Sequence, residues 1–352
     1  MKHPDAEKKV VPGMALPTSH MPAATYGRVF LVIALLTLLV IPAEAIILAQ
    51  TYFNPWRLAA FLECLSLTLA AVVALTDSHV VRELRRRAME SATVALALPF
   101  LLLVPYLILA IGTGTFRLWA AGKLALYIAA PTLLLLPDRL HRADHSHGAG
   151  WRDFAAMAAL AVPVGAQWLD GIWIWPQEVY FFRPLFCVCV CAYDFLVIRG
   201  LEDSGFRLIP RKGDLGDGLA NLVAFSLLGI PLGIYIGFIH PHWPSASGWE
   251  IAFQCFGIYL TIAIPEELMF RGILQNFLAK TIPSSRAVYG LVIASVIFGA
   301  AHLHHPPVPN WRYGIMATLA GLFYGNAWRT RHRLPASALT HAMVDTMWRF
   351  WF

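Results

Sequence analysis

Apolar runs of about 18 or more residues recur along nearly the whole chain, and each is long enough to cross a hydrocarbon core of roughly 30 Å as a helix. Hydrocarbon leaves no backbone polar group unpaired, so a spanning chain folds as helices or as a closed barrel. Barrel strands would need short alternating segments, and the sequence has no such pattern. With 58% hydrophobic and 14% charged residues, the chain also lies outside the soluble range of about 45–50% and about 25%. The expected fold is therefore all-α: a polytopic transmembrane helical bundle of about 11 spans (roughly 8–11). No long polar segment is present that would fold separately in water.

The expected spans are about 28–50, 56–76, 92–112, 116–136, 154–174, 179–198, 215–239, 249–278, 287–302, 313–328 and 335–351. The net charge of +6 collects between them, as at Arg82, Arg85, Arg86 and Arg87, at Arg207, Arg211 and Lys212, and at Arg329, Arg331 and Arg333. The loop 240–248 has no Lys or Arg. Such alternation is a topology signal rather than a nucleic-acid footprint, so the basic connectors are assigned to the cytoplasm and no nucleic-acid partner is expected. Residues 1–26 are then a cytoplasmic N-terminal tail, 27–195 N-terminal transmembrane helices of unassigned role, and 196–352 the functional core.

Several features read as packing or solvation. All five cysteines fall within apolar segments, and helical spacing turns Cys189 away from Cys187 and Cys191, which suits small buried side chains better than a disulfide or a metal site. Gly229, Gly233 and Gly237 share a stripe suited to close helix contact. His141, His145 and His147 read as a solvated cytoplasmic loop, Trp173 and Trp175 as an interfacial belt, and His304 and His305 as solvated. Glu44, Glu63, Lys123, Arg183 and Asp194 are expected mainly to pair with one another.

The charges that matter most lie at Glu266, Glu267 and Arg271, inside an apolar segment where each costs several kcal/mol unless it meets a partner or a cavity. On a helix Glu267 and Arg271 are i and i+4 and can neutralise each other, while Glu266 points about 100° away and stays free. Pro265 is expected to open the helix locally and admit water. Downstream, Phe298 and His302 share one face, as do His341 and Asp345. Convergence of these groups in one pocket would let the membrane tolerate all of them.

In that order, Glu266-Glu267-x-x-x-Arg271, Phe298-x-x-x-His302 and His341-x-x-x-Asp345 resemble the CPBP family of intramembrane proteases, which takes in the CAAX prenyl endopeptidases and bacteriocin-processing or immunity proteins. The resemblance covers about 196–352. It implies an intramembrane endopeptidase that hydrolyses a peptide bond of a membrane-associated or lipidated protein or peptide, in a water-filled cavity open to the cytoplasm. It also implies a multi-pass protein of the bacterial inner (plasma) membrane, with the lipid bilayer as its other partner. By the same resemblance Glu266, assisted by His302, activates water, His341 and residue 345 stabilise the oxyanion, and Glu267, Arg271 and Phe298 support them.

Many relatives have Asn where this chain has Asp345, although Asp is also known among bacterial members. An ionised Asp has no proton to donate, so Asp345 would be protonated, would orient His341, or would join Glu266, His302 and His341 around a divalent metal such as zinc. There is no H-E-x-x-H motif, and the family is glutamate-dependent, so no cofactor is expected to be required. The alternatives are a non-catalytic membrane scaffold or immunity protein of the same fold and a proton-coupled transporter. The latter predicts paired broken helices in inverted repeats, whereas the ionisable groups here gather in the last spans.

Overall fold

A computed structural model describes residues 54–139, 148–283 and 287–352. The first expected span, Glu44, the N-terminal tail and the histidines at 141, 145 and 147 lie outside the described residues. Those residues contain helices and no strand. In chain order the helices are α1 (Pro55–Thr76), α2 (Ser78–Glu90), α3 (Ala92–Thr113, with a 3-10 turn at Leu98–Leu102), α4 (Leu118–Leu135) and α5 (Trp151–Gly165). Next come α6 (Phe182–Ala192, continued by a π segment over Tyr193–Ile198), α7 (Lys212–Tyr235) and α8 (Gly248–Thr281). The series ends with α9 (Val288–Ala301), α10 (Trp311–Arg331) and α11 (Leu334–Trp351).

Among the described residues five helices, α1, α3, α4, α7 and α8, are long and apolar enough to cross a membrane, and α9 is a shorter apolar helix. The expected span at 154–174 is interrupted: α5 stops at Gly165, and the chain turns back through Gln167, whose φ is +56°. Trp173 is buried against Phe182, with ring centroids 6.3 Å apart, rather than standing in an interfacial belt.

Local chemistry sets the helix ends. Asn54 accepts hydrogen bonds from the Trp56 and Arg57 amides to start α1, and Asp77 accepts from His79 and Val80 to start α2. For α8, Ser247 Oγ accepts from the Glu250 amide while Glu250 Oε2 accepts from the Ser247 amide, a reciprocal capping box. Inside α8 the backbone widens to π geometry at Tyr259–Ala263 and again at Leu268–Gln275. Pro265 lies between these segments; it lacks an N–H, and the preceding widened turn relieves the clash its ring would cause with an α-helical carbonyl.

The described residues belong to one compact unit, and contacts cross the expected boundary at residue 195. Phe195 packs edge-on against Phe277 of α8, and Arg199 reaches across to Asp153 of α5. The core of the C-terminal helices gathers Phe225, Phe298, Met316, Ala320, Tyr324 and Val344 from α7, α9, α10 and α11.

The backbones of α9 and α10 approach each other closely. A Cβ on Gly299 would lie 1.9 Å from Thr318 Oγ1 and 2.5 Å from the Gly314 carbonyl oxygen, and one on Gly321 would lie 3.2 Å from Ser295 Cα. The small-residue seam therefore runs along Gly314, Thr318 and Gly321 of α10. On α7 a Cβ at Gly229 or Gly233 would meet side chains instead, and Gly237 lies beyond the helix at φ +67°. The stripe read on α7 is thus not where helix backbones meet.

The other buried charges also differ from expectation, because each finds the nearest polar group rather than one of its own set. Arg183 pairs with Asp170, Lys123 Nζ donates to the Trp168 carbonyl at 2.7 Å, and Asp194 accepts from Thr132 at 2.7 Å. Glu63 is exposed on α1. An unforeseen buried pair, Arg199–Asp153 at 2.6 Å, fastens the end of α6 to the start of α5.

Candidate active site

Glu267 is fully buried on α8 and is the hub of the polar cluster. Its Oε1 lies 3.1 Å from the Arg271 guanidinium and accepts from His341 Nδ1 at 2.8 Å, and its Oε2 accepts from Ser337 Oγ. Arg271 also donates to the Gly321 carbonyl at 3.2 Å and lies over the rings of Phe298 and Tyr324, at 4.4 and 5.3 Å from their centroids. A buried guanidinium is tolerated when a carboxylate, a carbonyl and aromatic faces surround it in this way.

His341 is held on every side. Its ring stacks on Tyr324 with centroids 4.5 Å apart and planes 16° apart, and it meets the Phe298 ring edge-on at 5.8 Å. With Nδ1 on Glu267, Nε2 faces Asp345 Oδ2 at 3.4 Å and Glu266 Oε2 at 3.9 Å. Because an ionised carboxylate only accepts, the Nδ1 proton stays on the imidazole.

Glu266 points elsewhere than Glu267. Its Oε2 is buried and has no hydrogen-bond partner among the described residues. It lines a cavity of about 560 Å³ together with His302, His341 and Asp345. The walls are largely apolar, with Phe225, Ile230, Met316 and Val344 among them, and Tyr313 and Tyr324 add polar tips. His302 Nδ1 lies 2.7 Å from the Phe298 carbonyl, which accepts its proton and leaves Nε2 as the acceptor of a neutral ring. The Phe298 ring touches both imidazoles, 4.6 Å from His302 and 5.8 Å from His341.

The sequence-selected residues Glu266, Glu267, Arg271, Phe298, His302, His341 and Asp345 thus come together, but they divide into two layers. Glu266, His302, His341 and Asp345 face the cavity, while Glu267 and Arg271 lie beneath it. Sequence reasoning missed Ser337 and Tyr324, and it assigned His305 to solvent although His305 lines the cavity and stacks near Tyr313 at 5.0 Å. Ser337 had a visible signal, since Ser337, His341 and Asp345 repeat at four-residue spacing on α11. Tyr324 had none, being one aromatic residue in an Ala- and Gly-rich helix.

The four residues expected to ligate a metal, if one binds, do not form a ligand set in this geometry. Among the described residues no three His, Cys, Asp or Glu side chains are grouped to hold an ion, and both nitrogens of His341 are already directed at carboxylates.

A family model described as type II CAAX prenyl endopeptidase Rce1-like matches residues 248–347, which run from the start of α8 through Asp345. These residues are similar to that family. The matched stretch therefore contains the whole polar cluster, and its helices α8 to α11 build the cavity together with Phe225, Gly229 and Ile230 of α7. That similarity implies a protease, and the apolar helices support an integral membrane protein. No curated protein and no solved structure matches the chain significantly.

Proposed function

We propose that the protein is an intramembrane endopeptidase in which Glu266 activates water against a peptide bond of a membrane-associated substrate. The observation that carries this reading is the buried, partnerless Oε2 of Glu266 in a cavity with room for water and an extended peptide. A carboxylate withheld from other hydrogen bonds is free to take a proton, which general-base catalysis needs.

In this mechanism Glu266 removes a proton from water while His302 Nε2 accepts the second hydrogen and orients the molecule. The water oxygen attacks the carbonyl carbon, and the resulting oxyanion accepts a hydrogen bond from His341 Nε2. Glu267 fixes that imidazole through Nδ1, and Asp345 holds the Nε2 side, so the donor is in place before charge develops. Protonated Glu266 then returns its proton to the amide nitrogen, the C–N bond breaks, and an acid and an amine leave. Asp345 acts here by orienting His341, and no step passes through a metal.

The test compares peptide termini in cells carrying the wild-type protein and the isosteric Glu266→Gln variant. Substrate-derived termini should vanish in the variant while its insertion and yield stay normal. Unchanged termini, or biological activity that persists in Glu266→Gln and His302→Ala, would instead favour the non-catalytic scaffold.

A further inference from the structure

One end of the cavity is identified by the charges around it. Helices α7 to α11 run alternately, so their connectors collect at two faces of the bundle. At one face lie Arg207, Arg211, Lys212, Lys280, Arg329, Arg331 and Arg333, joined by Arg331–Asp217, Arg333–Asp214 and Lys280–Asp203 pairs. The arginine-rich α2 belongs to this face as well, because Arg85 donates to the Leu196 carbonyl at the end of α6. At the other face are the connectors 236–247 and 302–310, which contain no Lys or Arg, with only Arg312 and Arg349 on the adjoining helix ends. The His242 amide donates to the Trp351 carbonyl and Arg312 to the Gly237 carbonyl, so both of those connectors and the end of α11 share that face. Exposed Tyr235, Trp243, Trp249 and Trp311 surround it, as aromatic side chains do at a membrane interface.

The cavity lining begins at this low-charge face, with Phe238, Ile239, His305 and Phe352, and stops near mid-helix at Glu266, Tyr324 and His341. Below it the path to the basic face is filled by Glu267, Arg271 and Ser337, each at most 1% exposed. Among the described residues the lining thus connects Glu266 with the low-charge face.

Short connectors rich in Lys and Arg stay on the cytoplasmic side of a membrane. We infer that the active-site cavity opens away from the cytoplasm and takes a substrate segment presented at the non-cytoplasmic face of the membrane. This rests on the endopeptidase reading for what the segment undergoes, but not for the direction of the opening. It is the reverse of the cytoplasmic opening that the family resemblance implies. It excludes a lipidated tail displayed in the cytoplasm and favours an extended segment that leaves the outer end of a membrane anchor, with apolar side chains to match Phe225, Ile230 and Met316.

Labelling of single added cysteines in the full-length protein tests the direction without any need for activity. Trp243→Cys marks the low-charge connector, Lys212→Cys the basic face, and Met347→Cys the cavity wall; the chain without an added cysteine gives the background from its five native ones. With a membrane-impermeant maleimide on intact cells, Trp243→Cys and Met347→Cys should label at least several-fold above background, and Lys212→Cys only after permeabilisation. Labelling of Lys212→Cys in intact cells, with Trp243→Cys protected, would overturn the inference. So would a Met347→Cys that reacts only when the Lys212 face is exposed. Either result leaves the Glu266→Gln comparison unaffected, so the two readings fail separately.

Discussion

Two adjacent glutamates on one helix have opposite environments. Glu266 has an unpartnered oxygen in a cavity, whereas Glu267 accepts from Ser337 and His341, pairs with Arg271 and has no exposure. Their substitutions should therefore separate activity from stability. Glu266→Gln is expected to lose cleavage by about a thousandfold or more, in keeping with removal of a central catalytic group, with a melting temperature in detergent close to wild type. Glu267→Gln leaves Arg271 as a buried charge without its carboxylate, which costs about 3–5 kcal/mol, and its melting temperature should fall well below that of Glu266→Gln. Asp345 offers a finer test. Asp345→Asn retains an oxygen facing His341 Nε2 and should keep cleavage within about tenfold, while Asp345→Leu should lose about 10–100-fold, as orienting partners of a histidine typically do. Because no step passes through a metal, cleavage by the purified protein should survive exhaustive chelation; loss on chelation with recovery on adding zinc would refute the metal-free route. These residues were legible in the sequence because a charge in an apolar segment is costly and therefore conspicuous. Tyr324 was not, being an uncharged aromatic residue that costs nothing in an apolar helix, and Ser337 showed only in its four-residue spacing from His341 and Asp345.

At the scale of elements, the site depends on how closely α9 can approach α10 and on how α8 is wound. Phe298 and His302 bracket Gly299, so whatever displaces Gly299 displaces them too. Gly299→Ala would drive a methyl group into Thr318 and the Gly314 carbonyl. A loss of about 1–3 kcal/mol is expected from such overpacking, together with loss of cleavage, read by thermal unfolding and by substrate turnover. Gly216→Ala on α7 is the control: its Cβ meets nothing within 4 Å, and it should stabilise by about 0.5–1 kcal/mol through helix propensity. Spacing alone located the apolar helices and the polar faces of α8, α9 and α11. It did not locate the seam, because the glycines of α7 and α10 look alike in sequence and only tertiary packing decides which stripe meets backbone. Nor did it reveal the π segments of α8, which reflect packing around Pro265 and Arg271 rather than any residue type favouring wide turns.

On the scale of the whole molecule, the family-matched stretch is not self-sufficient. Phe195 packs on Phe277, Asn276 donates to the Glu202 carbonyl at 2.8 Å, and Trp328 Nε1 donates to the Ser204 carbonyl at 3.0 Å. A fragment beginning at Gly248 would leave these buried groups without partners, and it is expected to be degraded in cells while the full chain accumulates, as an immunoblot would report. The ion pair beneath the cavity has a consequence of another kind. An aqueous vestibule that penetrates to mid-bilayer halves the insulating thickness of an energised membrane, and Glu267, Arg271 and Ser337 occupy the remaining path. Packed side chains at most 1% exposed exclude the water along which a proton would move. The same pair that positions His341 would thus keep the enzyme from short-circuiting the electrochemical gradient of the membrane it works in, and proteoliposomes bearing Arg271→Ala should dissipate a proton gradient faster than those bearing the wild type.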